Sequence, residues 1–271
     1  MSIDRLCSYF GFSKTPFSKE LAPSMLHRSK AHAEAVARLT WLIAERALGV
    51  LTGEVGAGKT VAVRAATAAL DPSRHSVIYL SQPGTGVRGI YAEVVRALGG
   101  SPCFQRSNLV PQAAELIERE ETERGKTVTL VADEGHLYTP DQLESLRLLG
   151  NARMDSHSPF ALVLVGQPSL RRRLRLGSFA ALDQRVGLRY HLDGLAAGET
   201  ADYVRHHLSL AGRTDSLFSD DAVSLIHQTS RGLPRAVNNL AVAALVAAFA
   251  ANKAIVDESS ARQAVTEVTA E

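Results

Sequence analysis

Five short apolar runs recur between residue 49 and residue 192, separated by longer stretches with helical spacing. The runs are nearly continuous rather than alternating, which is typical of strands buried on both faces of a parallel sheet. Strands that alternate with helices predict an α/β fold built on a five-stranded parallel sheet. The predicted strands are residues 49–52, 76–81, 127–132, 160–166 and 188–192, with helices such as 60–70 and 89–98 between them.

After residue 193 the pattern changes to helices alone. The first two helical segments end in Gly212 and Gly232, as expected of helix C-caps. We therefore predict a boundary near residue 194, with an α/β core over 1–193 and an all-helical lid over 194–271. The predicted lid helices are residues 198–212, 219–232, 233–253 and 257–269.

Composition excludes a few classes of protein. A chain of 271 residues that is 45% hydrophobic and 21% charged is ordinary for a soluble globular protein. Its net charge of +2 is too small to indicate a partner, so any nucleic-acid surface must be local. Cys7 and Cys103 have no spacing for zinc and are expected to be free thiols in a reducing cytoplasm. The apolar run 240–251 is too short to span a bilayer, and the N-terminus does not resemble a signal peptide, so we expect no membrane association.

The stretch LTGEVGAGKT, residues 51–60, matches the phosphate-binding pattern G-x-x-x-x-G-K-[ST] in full. It lies between a predicted strand and a predicted helix, which is the context that such a loop requires. Glycines let the backbone direct N–H groups at phosphate oxygens, and the following helix adds its positive end. Lys59 is expected to reach the β- and γ-phosphates of ATP, and the Thr60 hydroxyl to bind Mg²⁺. The predicted nucleotide contacts are Gly53, Glu54, Val55, Gly56, Ala57, Gly58, Lys59, Thr60 and Val61.

Two acids, Asp133 and Glu134, end the third predicted strand. An aspartate at a strand end can hold Mg²⁺ through its water shell. A second carboxylate beside it can orient and polarise an attacking water. The alternative is a strand end with solvated acids. Together with Lys59 and Thr60, the pair predicts hydrolysis of ATP as well as binding.

Three further positions depend on the fold. Gln167 ends the fourth strand and could sense the γ-phosphate, or be an ordinary loop residue. Arg185 precedes the fifth strand and could reach a neighbouring subunit's nucleotide as an arginine finger. The alternative is an ordinary surface arginine or an ion pair, and Arg189 is a rival for the finger. Arg235 follows Pro234 at a helix start and could bridge the lid to the γ-phosphate, or be a helix-end charge.

Along the chain, the motifs occur in the order YFGFSKTPFSKE at 9–20, the phosphate loop, LVADE, GQP, QRV and GLPR. This ordered set resembles the AAA+ ATPases, and more narrowly the ExeA/TniB/TnsC-like group of secretion and transposition ATPases, with IstB and MuB as distant relatives. The resemblance spans about residues 5–255. The resemblance implies a sheet in the order 5-1-4-3-2 and oligomers with active sites between subunits.

The resemblance also implies a role for each matching residue. Lys59 and Thr60 correspond to Walker A, and Asp133 and Glu134 to Walker B. Gln167 occupies the sensor 1 position, where AAA+ proteins at large often have Asn, Ser or Thr. The remaining matches are Arg185 as the finger, Arg235 as sensor 2 and Phe17, in the N-terminal motif, beside the adenine.

Two cellular roles for the ATPase are compatible with these motifs, and a third possibility is a protein that binds nucleotide with little hydrolysis. The first is a transposition helper, a homo-oligomeric ring or filament on double-stranded DNA that recruits or stimulates a transposase. The second is an ExeA-type secretion ATPase. Because the sequence ends at residue 271, soon after the lid and with no membrane span, we expect the first. The third is a nucleotide-gated binding module with little turnover.

Contacts to DNA would come from local basic residues. Arg171, Arg172 and Arg173 lie in the stretch LRRRLR, and Arg88 lies in the glycine-rich stretch after the second strand. Such contacts to phosphate would be salt-sensitive and independent of base sequence. The alternative is a solvated helix face or a subunit interface. His206 and His207 lack metal-ligand spacing and are expected to be ordinary helix residues.

Overall fold

The computed structural model of the chain describes residues 3–18, 21–151 and 157–269. These residues form two compact units, each with its own hydrophobic core. The sheet unit comprises His32–Glu54 and Lys59–Leu192. The helical unit comprises the described residues of Met1–Ala31, Val55–Gly58 and Asp193–Glu271. The change from sheet unit to helical unit near residue 193 falls where the apolar pattern of the sequence changes.

The sheet unit is built on five parallel strands in the order β2-β3-β4-β1-β5. This is the predicted order 5-1-4-3-2 read from the opposite edge, so the predicted fold class is confirmed. The third and fourth strands have the predicted bounds, and the others begin one or two residues earlier. The strands are β1 (Leu48–Thr52), β2 (His75–Leu80), β3 (Thr127–Ala132), β4 (Phe160–Gly166) and β5 (Val186–His191).

The described residues also form twelve α-helices, listed here in chain order. They are α1 (Ile3–Phe10), α2 (Lys30–Ala44), α3 (Lys59–Ala68), α4 (Gly86–Ala97), α5 (Arg106–Thr122), α6 (Pro140–Leu149), α7 (Pro168–Leu174), α8 (Ala180–Asp183), α9 (Ala197–Leu210), α10 (Asp220–Ser230), α11 (Pro234–Ala250) and α12 (Glu258–Thr269). Within residues 3–18, 21–151 and 157–269, none of the helices has the length and apolar character that a membrane crossing requires.

The middle of the sheet explains its apolar sequence. All seven residues of β4 are buried, because strands pair with it on both sides and helices cover its faces. In β1, a Cβ atom on Gly49 would lie 1.8 Å from Cδ1 of the buried Leu42, so α2 packs close against the strand at this glycine. Helix α6 starts with a capping box, in which Thr139 and Gln142 each bond the other's backbone N–H.

The N-terminal segment belongs to the helical unit. The sequence predicts that residues 1–193 form one domain. In the structure, however, Phe10, Phe12 and Phe17 are buried in the core that α9, α10, α11 and α12 form. The Ser13 N–H also donates to the carbonyl of Ala211, just after α9, over 2.8 Å. The difference arises because these aromatic side chains find their apolar partners in the C-terminal helices.

Helix α10 ends at Ser230, two residues before the predicted end at Gly232. Arg231 takes the first left-handed position, with φ 52°, and Gly232 follows with φ 69°. A Cβ on Gly232 would lie 2.0 Å from the carbonyl oxygen of Leu195, so the glycine is required by close packing as well as by its dihedral.

Candidate active site

The phosphate-binding pattern begins at the carboxyl end of β1 and continues into α3. The Lys59 ammonium is buried and donates to the carbonyls of Gly53 and Glu54 over 2.8 and 2.9 Å. Gly56 and Gly58 have φ values of +83° and +97°, which other residues rarely adopt. Of the other predicted contacts, Glu54 and Val55 are exposed, Ala57 is buried, and Val61 is half-buried in the first turn of α3.

The first strand-end acid, Asp133, meets Thr60. The Thr60 hydroxyl donates to Asp133 Oδ2 over 3.0 Å, although 73 residues separate them in the chain. The Glu134 N–H donates to the other carboxylate oxygen over 2.8 Å. Asp133 is only 6% exposed, so these donors take the place of water around its carboxylate. The parallel order of the strands causes the meeting, since β1 and β3 both flank β4 and end at the same edge of the sheet.

A third donor on Asp133 was not predicted. The Tyr79 hydroxyl, near the end of β2, donates to Oδ2 over 2.5 Å. Burial and this bond to Asp133 raise the pKa of the Tyr79 hydroxyl, so it remains protonated and can donate. The residue carried no signal in the sequence beyond its place in an apolar run.

The second acid, Glu134, has its side chain half-exposed and its backbone in the left-handed region, with φ 51°. Its Oε2 lies 3.4 Å from Nδ1 of His136, and the Gln167 N–H approaches the same nitrogen at 3.4 Å. Nδ1 can accept from Gln167 only when it carries no proton, whereas an ion pair with Glu134 needs the proton there. The Nδ1 atom of His136 thus lies between Glu134 and the end of β4, and it can bond to only one of them at a time.

Arg173 has an internal role that differs from the predicted contact to DNA. Its guanidinium donates to the carbonyls of His136 and Tyr138 over 2.6 and 2.8 Å. It also lies 5.6 Å from the centre of the Phe179 ring. These contacts occupy the fork of the side chain, so Arg173 fastens α7 to the turn that follows Glu134.

The other predicted DNA contacts differ in their surroundings. Arg171 and Arg172 are exposed on α7. Arg88 is also exposed, but its guanidinium donates to the carbonyls of Phe104 and Cys103 over 3.3 and 3.5 Å. Contact with DNA stays a prediction for all of these residues.

The two candidate finger arginines are held differently. Arg185 Nη1 donates to the carbonyl of Arg147 near the end of α6, over 3.3 Å. Arg189 forms a salt bridge with Asp183 at 2.8 Å and donates to two carbonyls. Both arginines are therefore held by neighbouring groups, and the role of Arg185 as an arginine finger stays a prediction.

In the helical unit, Arg235 lies against Gly56. The Arg235 N–H donates to the Gly56 carbonyl over 3.3 Å, and a Cβ on Gly56 would lie 2.7 Å from Cβ of Arg235. The Arg235 side chain is exposed at the start of α11. Pro234 occupies the first turn of that helix, as predicted.

Phe17 stacks on His207 with 5.2 Å between ring centres. The two rings line a pocket of about 280 Å³ in the helical unit, together with Lys14, Thr15 and Leu21. Burial, followed by the nearby His206 and His27, lowers the pKa of His207 to about 4. His207 is thus a buried neutral ring, and the predicted place of Phe17 beside adenine stays a prediction.

Residues 43–174 match the family model described as AAA domain. The match includes the phosphate loop and both acids, and it extends over strands β1 to β4. The fold is that of an AAA+ P-loop protein. The family match and the fold support assignment to the AAA+ ATPases, while the TniB/TnsC group within them stays a prediction.

One curated protein with similar sequence is the general secretion pathway protein A of Aeromonas hydrophila, 33% identical over 253 residues. The match covers 89% of this chain and 44% of that protein, so the chain spans less than half of that relative's length.

Solved structures share the AAA+ fold. Cdc6p from Pyrobaculum aerophilum is 19% identical with a TM-score of 0.72, covering 93% of this chain and 70% of that one. Drosophila ORC bound to DNA is 20% identical with a TM-score of 0.64, covering 98% of this chain and 66% of that one. At these identities the likeness concerns the fold alone.

The AAA+ fold implies a magnesium ion, and the residues present fit one. Thr60 and Asp133 offer a hydroxyl and a carboxylate oxygen 3.0 Å apart, which are the hard ligands that Mg²⁺ prefers. Among the described residues, no group of three or more His, Cys, Asp or Glu side chains could hold a metal. A magnesium ion that arrives with nucleotide phosphates needs only one or two protein ligands, so the two findings agree.

Proposed function

We propose that this protein binds ATP with Mg²⁺ and hydrolyses it. The contact between Thr60 and Asp133 carries the proposal, because it brings the two halves of a phosphate-transfer site together. Lys59 would neutralise the β- and γ-phosphates, and Thr60 and Asp133 would hold the ion. The ion supplies positive charge against the phosphate oxygens.

Glu134 is the proposed base. Its carboxylate is half-exposed, so water can reach it, and it follows Asp133 directly. It would orient the attacking water and accept a proton from it. Gln167 is the proposed sensor of the γ-phosphate at the end of β4, and Nδ1 of His136, 3.4 Å from both Glu134 Oε2 and the Gln167 nitrogen, would bond to one or the other of them.

The test compares Lys59→Ala and Glu134→Gln with the distant controls Lys126→Ala and Glu118→Gln. We expect Lys59→Ala to lose ATP binding, and Glu134→Gln to keep binding and lose phosphate release, with both controls unchanged. Undiminished binding by Lys59→Ala would refute the phosphate loop, and normal turnover by Glu134→Gln would place the base elsewhere. Binding without turnover in the wild type would indicate the nucleotide-gated binding module instead.

Arg185 is the proposed finger that acts on a neighbouring subunit in a homo-oligomer. It lies directly before β5 and donates to the Arg147 carbonyl over 3.3 Å, so assembly would have to exchange this bond for one to the neighbour's nucleotide. We expect Arg185→Ala alone to be inactive, and a mixture with Glu134→Gln to regain some turnover, because one variant supplies the finger and the other the base. No regained activity in the mixture would argue against a finger acting between subunits.

Arg235 is the proposed sensor 2 residue. Its exposed guanidinium would bind the γ-phosphate, while its backbone already bonds to Gly56 of the phosphate loop. This would make the position of α11 depend on the nucleotide.

For the process that hydrolysis serves, the similarity to the secretion pathway protein favours a secretion-associated role. The transposition helper is the second candidate, supported by the exposed pair Arg171 and Arg172. The length of the chain does not separate the two roles, because the match covers only 44% of the secretion protein.

Binding of double-stranded DNA, measured with ATP, with ADP and without nucleotide at several salt concentrations, separates the two roles. Binding that needs ATP and weakens with salt would support the helper that acts with a transposase. The double variant Arg171→Ala/Arg172→Ala should then reduce the slope of log affinity against log salt by about 2. No DNA binding in any nucleotide state, with turnover intact, would support the secretion-associated role.

A further inference from the structure

Tyr79 shares an acceptor with the magnesium ligand Thr60. Its hydroxyl donates to Oδ2 of Asp133 over 2.5 Å, and the Thr60 hydroxyl donates to the same oxygen over 3.0 Å. The other oxygen, Oδ1, accepts from the Glu134 N–H over 2.8 Å. The carboxylate is thus fixed from both of its oxygens.

Strand pairing brings Tyr79 to this position. Tyr79 on β2 is paired with Val131 on β3, and Asp133 follows Val131 by two residues. Side chains two residues apart on a strand point to the same face, so the tyrosine crosses diagonally toward Asp133. The Asp133 N–H still donates to the Leu80 carbonyl over 3.2 Å, so the backbone of the acid is held in the same ladder.

The motion that these hydrogen bonds oppose is rotation of the Asp133 carboxylate. A carboxylate that rotates about χ2 would turn Oδ2 away from Thr60 and leave the hydroxyl hydrogen without its acceptor. The Thr60 hydroxyl can offer its lone pairs to a metal only while its hydrogen is directed elsewhere, here to Oδ2. The bond from Tyr79 acts on the same oxygen, and so opposes that rotation.

We infer that Tyr79 is a positioning residue for the magnesium site, which holds the Asp133 carboxylate in the rotamer that directs the Thr60 hydroxyl toward the ion. The inference rests on the proposed function, since it assumes that nucleotide binds with Mg²⁺. Tyr79 touches neither nucleotide nor reacting water in this role. Its removal should therefore weaken the part of nucleotide affinity that depends on Mg²⁺, and leave the metal-free part unchanged.

The experiment measures the dissociation constant of ATPγS by calorimetry, once with excess Mg²⁺ and once with EDTA. The ratio of the two constants is the magnesium enhancement. We expect Tyr79→Phe to reduce this enhancement roughly 3- to 10-fold, the size expected for a charge-assisted hydrogen bond on a partly exposed side chain. The Mg²⁺ concentration for half-maximal turnover should rise in the same proportion.

Tyr190→Phe is the matched control, because that hydroxyl also faces a carboxylate, Glu34, at 3.4 Å. It should leave the enhancement unchanged. Tyr79 is 44% exposed, and the substitution removes one oxygen atom, so the melting temperature of Tyr79→Phe should stay close to that of the wild type.

The outcomes separate this inference from the proposed function. A wild-type enhancement in Tyr79→Phe, or an equal loss of affinity with Mg²⁺ and with EDTA, would overturn the positioning role. Absence of ATPγS binding by the wild-type protein would overturn the proposed function, and this inference with it.

Discussion

Replacement of Arg173 by alanine should destabilise the sheet unit far more than replacement of its neighbour Arg172. Arg173 donates to the carbonyls of His136 and Tyr138 over 2.6 and 2.8 Å and lies over the Phe179 ring. Two hydrogen bonds from a charged donor, discounted because the side chain is half-buried, contribute about 1 kcal/mol each. The ring contact adds about 0.5–1 kcal/mol. The two carbonyls would be left without this donor, which adds a desolvation cost. We therefore expect Arg173→Ala to lower the free energy of unfolding by about 2–4 kcal/mol.

The assay is urea unfolding followed by circular dichroism, with turnover measured in parallel. Arg172 is exposed on the same helix, so Arg172→Ala should change the free energy by no more than about 0.5 kcal/mol. Arg173→Lys should recover part of the loss, because an ammonium can donate to one carbonyl but lacks the planar fork. Equal stability of the two alanine variants would refute an internal role for Arg173 and return it to the predicted DNA surface.

Two further predictions concern the helical unit and are checked by thermal unfolding. Gly56→Ala and Gly58→Ala should each cost about 1–2 kcal/mol, because both glycines have positive φ. Gly56→Ala should lower the free energy of unfolding by about 1–3 kcal/mol more than Gly58→Ala does, because a Cβ at Gly56 would lie 2.7 Å from Cβ of Arg235 while nothing lies within 4 Å at Gly58. Equal melting temperatures of the two variants would contradict the contact with Arg235. His207 has a pKa of about 4 against an ordinary 6.5, so the unfolded chain binds more protons between these values and stability should fall by about 3 kcal/mol as pH drops from 6.5 to 4. His207→Phe should flatten that dependence, and an unchanged slope in this variant would show that other groups cause it.

The strands and the phosphate loop could be predicted from sequence because each depends on local pattern. A fully buried strand such as β4 requires an unbroken apolar run, and a loop that wraps phosphate requires glycines at fixed spacing. The contact between Asp133 and Thr60 could be predicted only by assuming the fold, because the local sequence around Asp133 would suit any acidic residue at the end of a strand.

Tyr79, His136 and Arg173 show what local pattern omits. The contact of Tyr79 with Asp133 depends on the register between β2 and β3, and a shift of one residue would move the hydroxyl to the other face. His136 and Arg173 meet because α7 lies beside the turn after β3, at a separation of 37 residues. The same reasoning explains the N-terminal aromatics, whose partners in the helical unit follow them by almost two hundred residues.

The position of β4 in the sheet also sets an order of events during synthesis. β4 separates β1 from β3 in the finished sheet, yet it is translated after both of them. A nascent chain that has emerged only as far as residue 151 already contains Thr60 and Asp133, but lacks the strand that joins their two halves of the sheet. The nucleotide site would therefore form late and abruptly, when Phe160–Gly166 leaves the ribosome and inserts between its neighbours. Gain of nucleotide binding along a series of stalled chains would date that insertion.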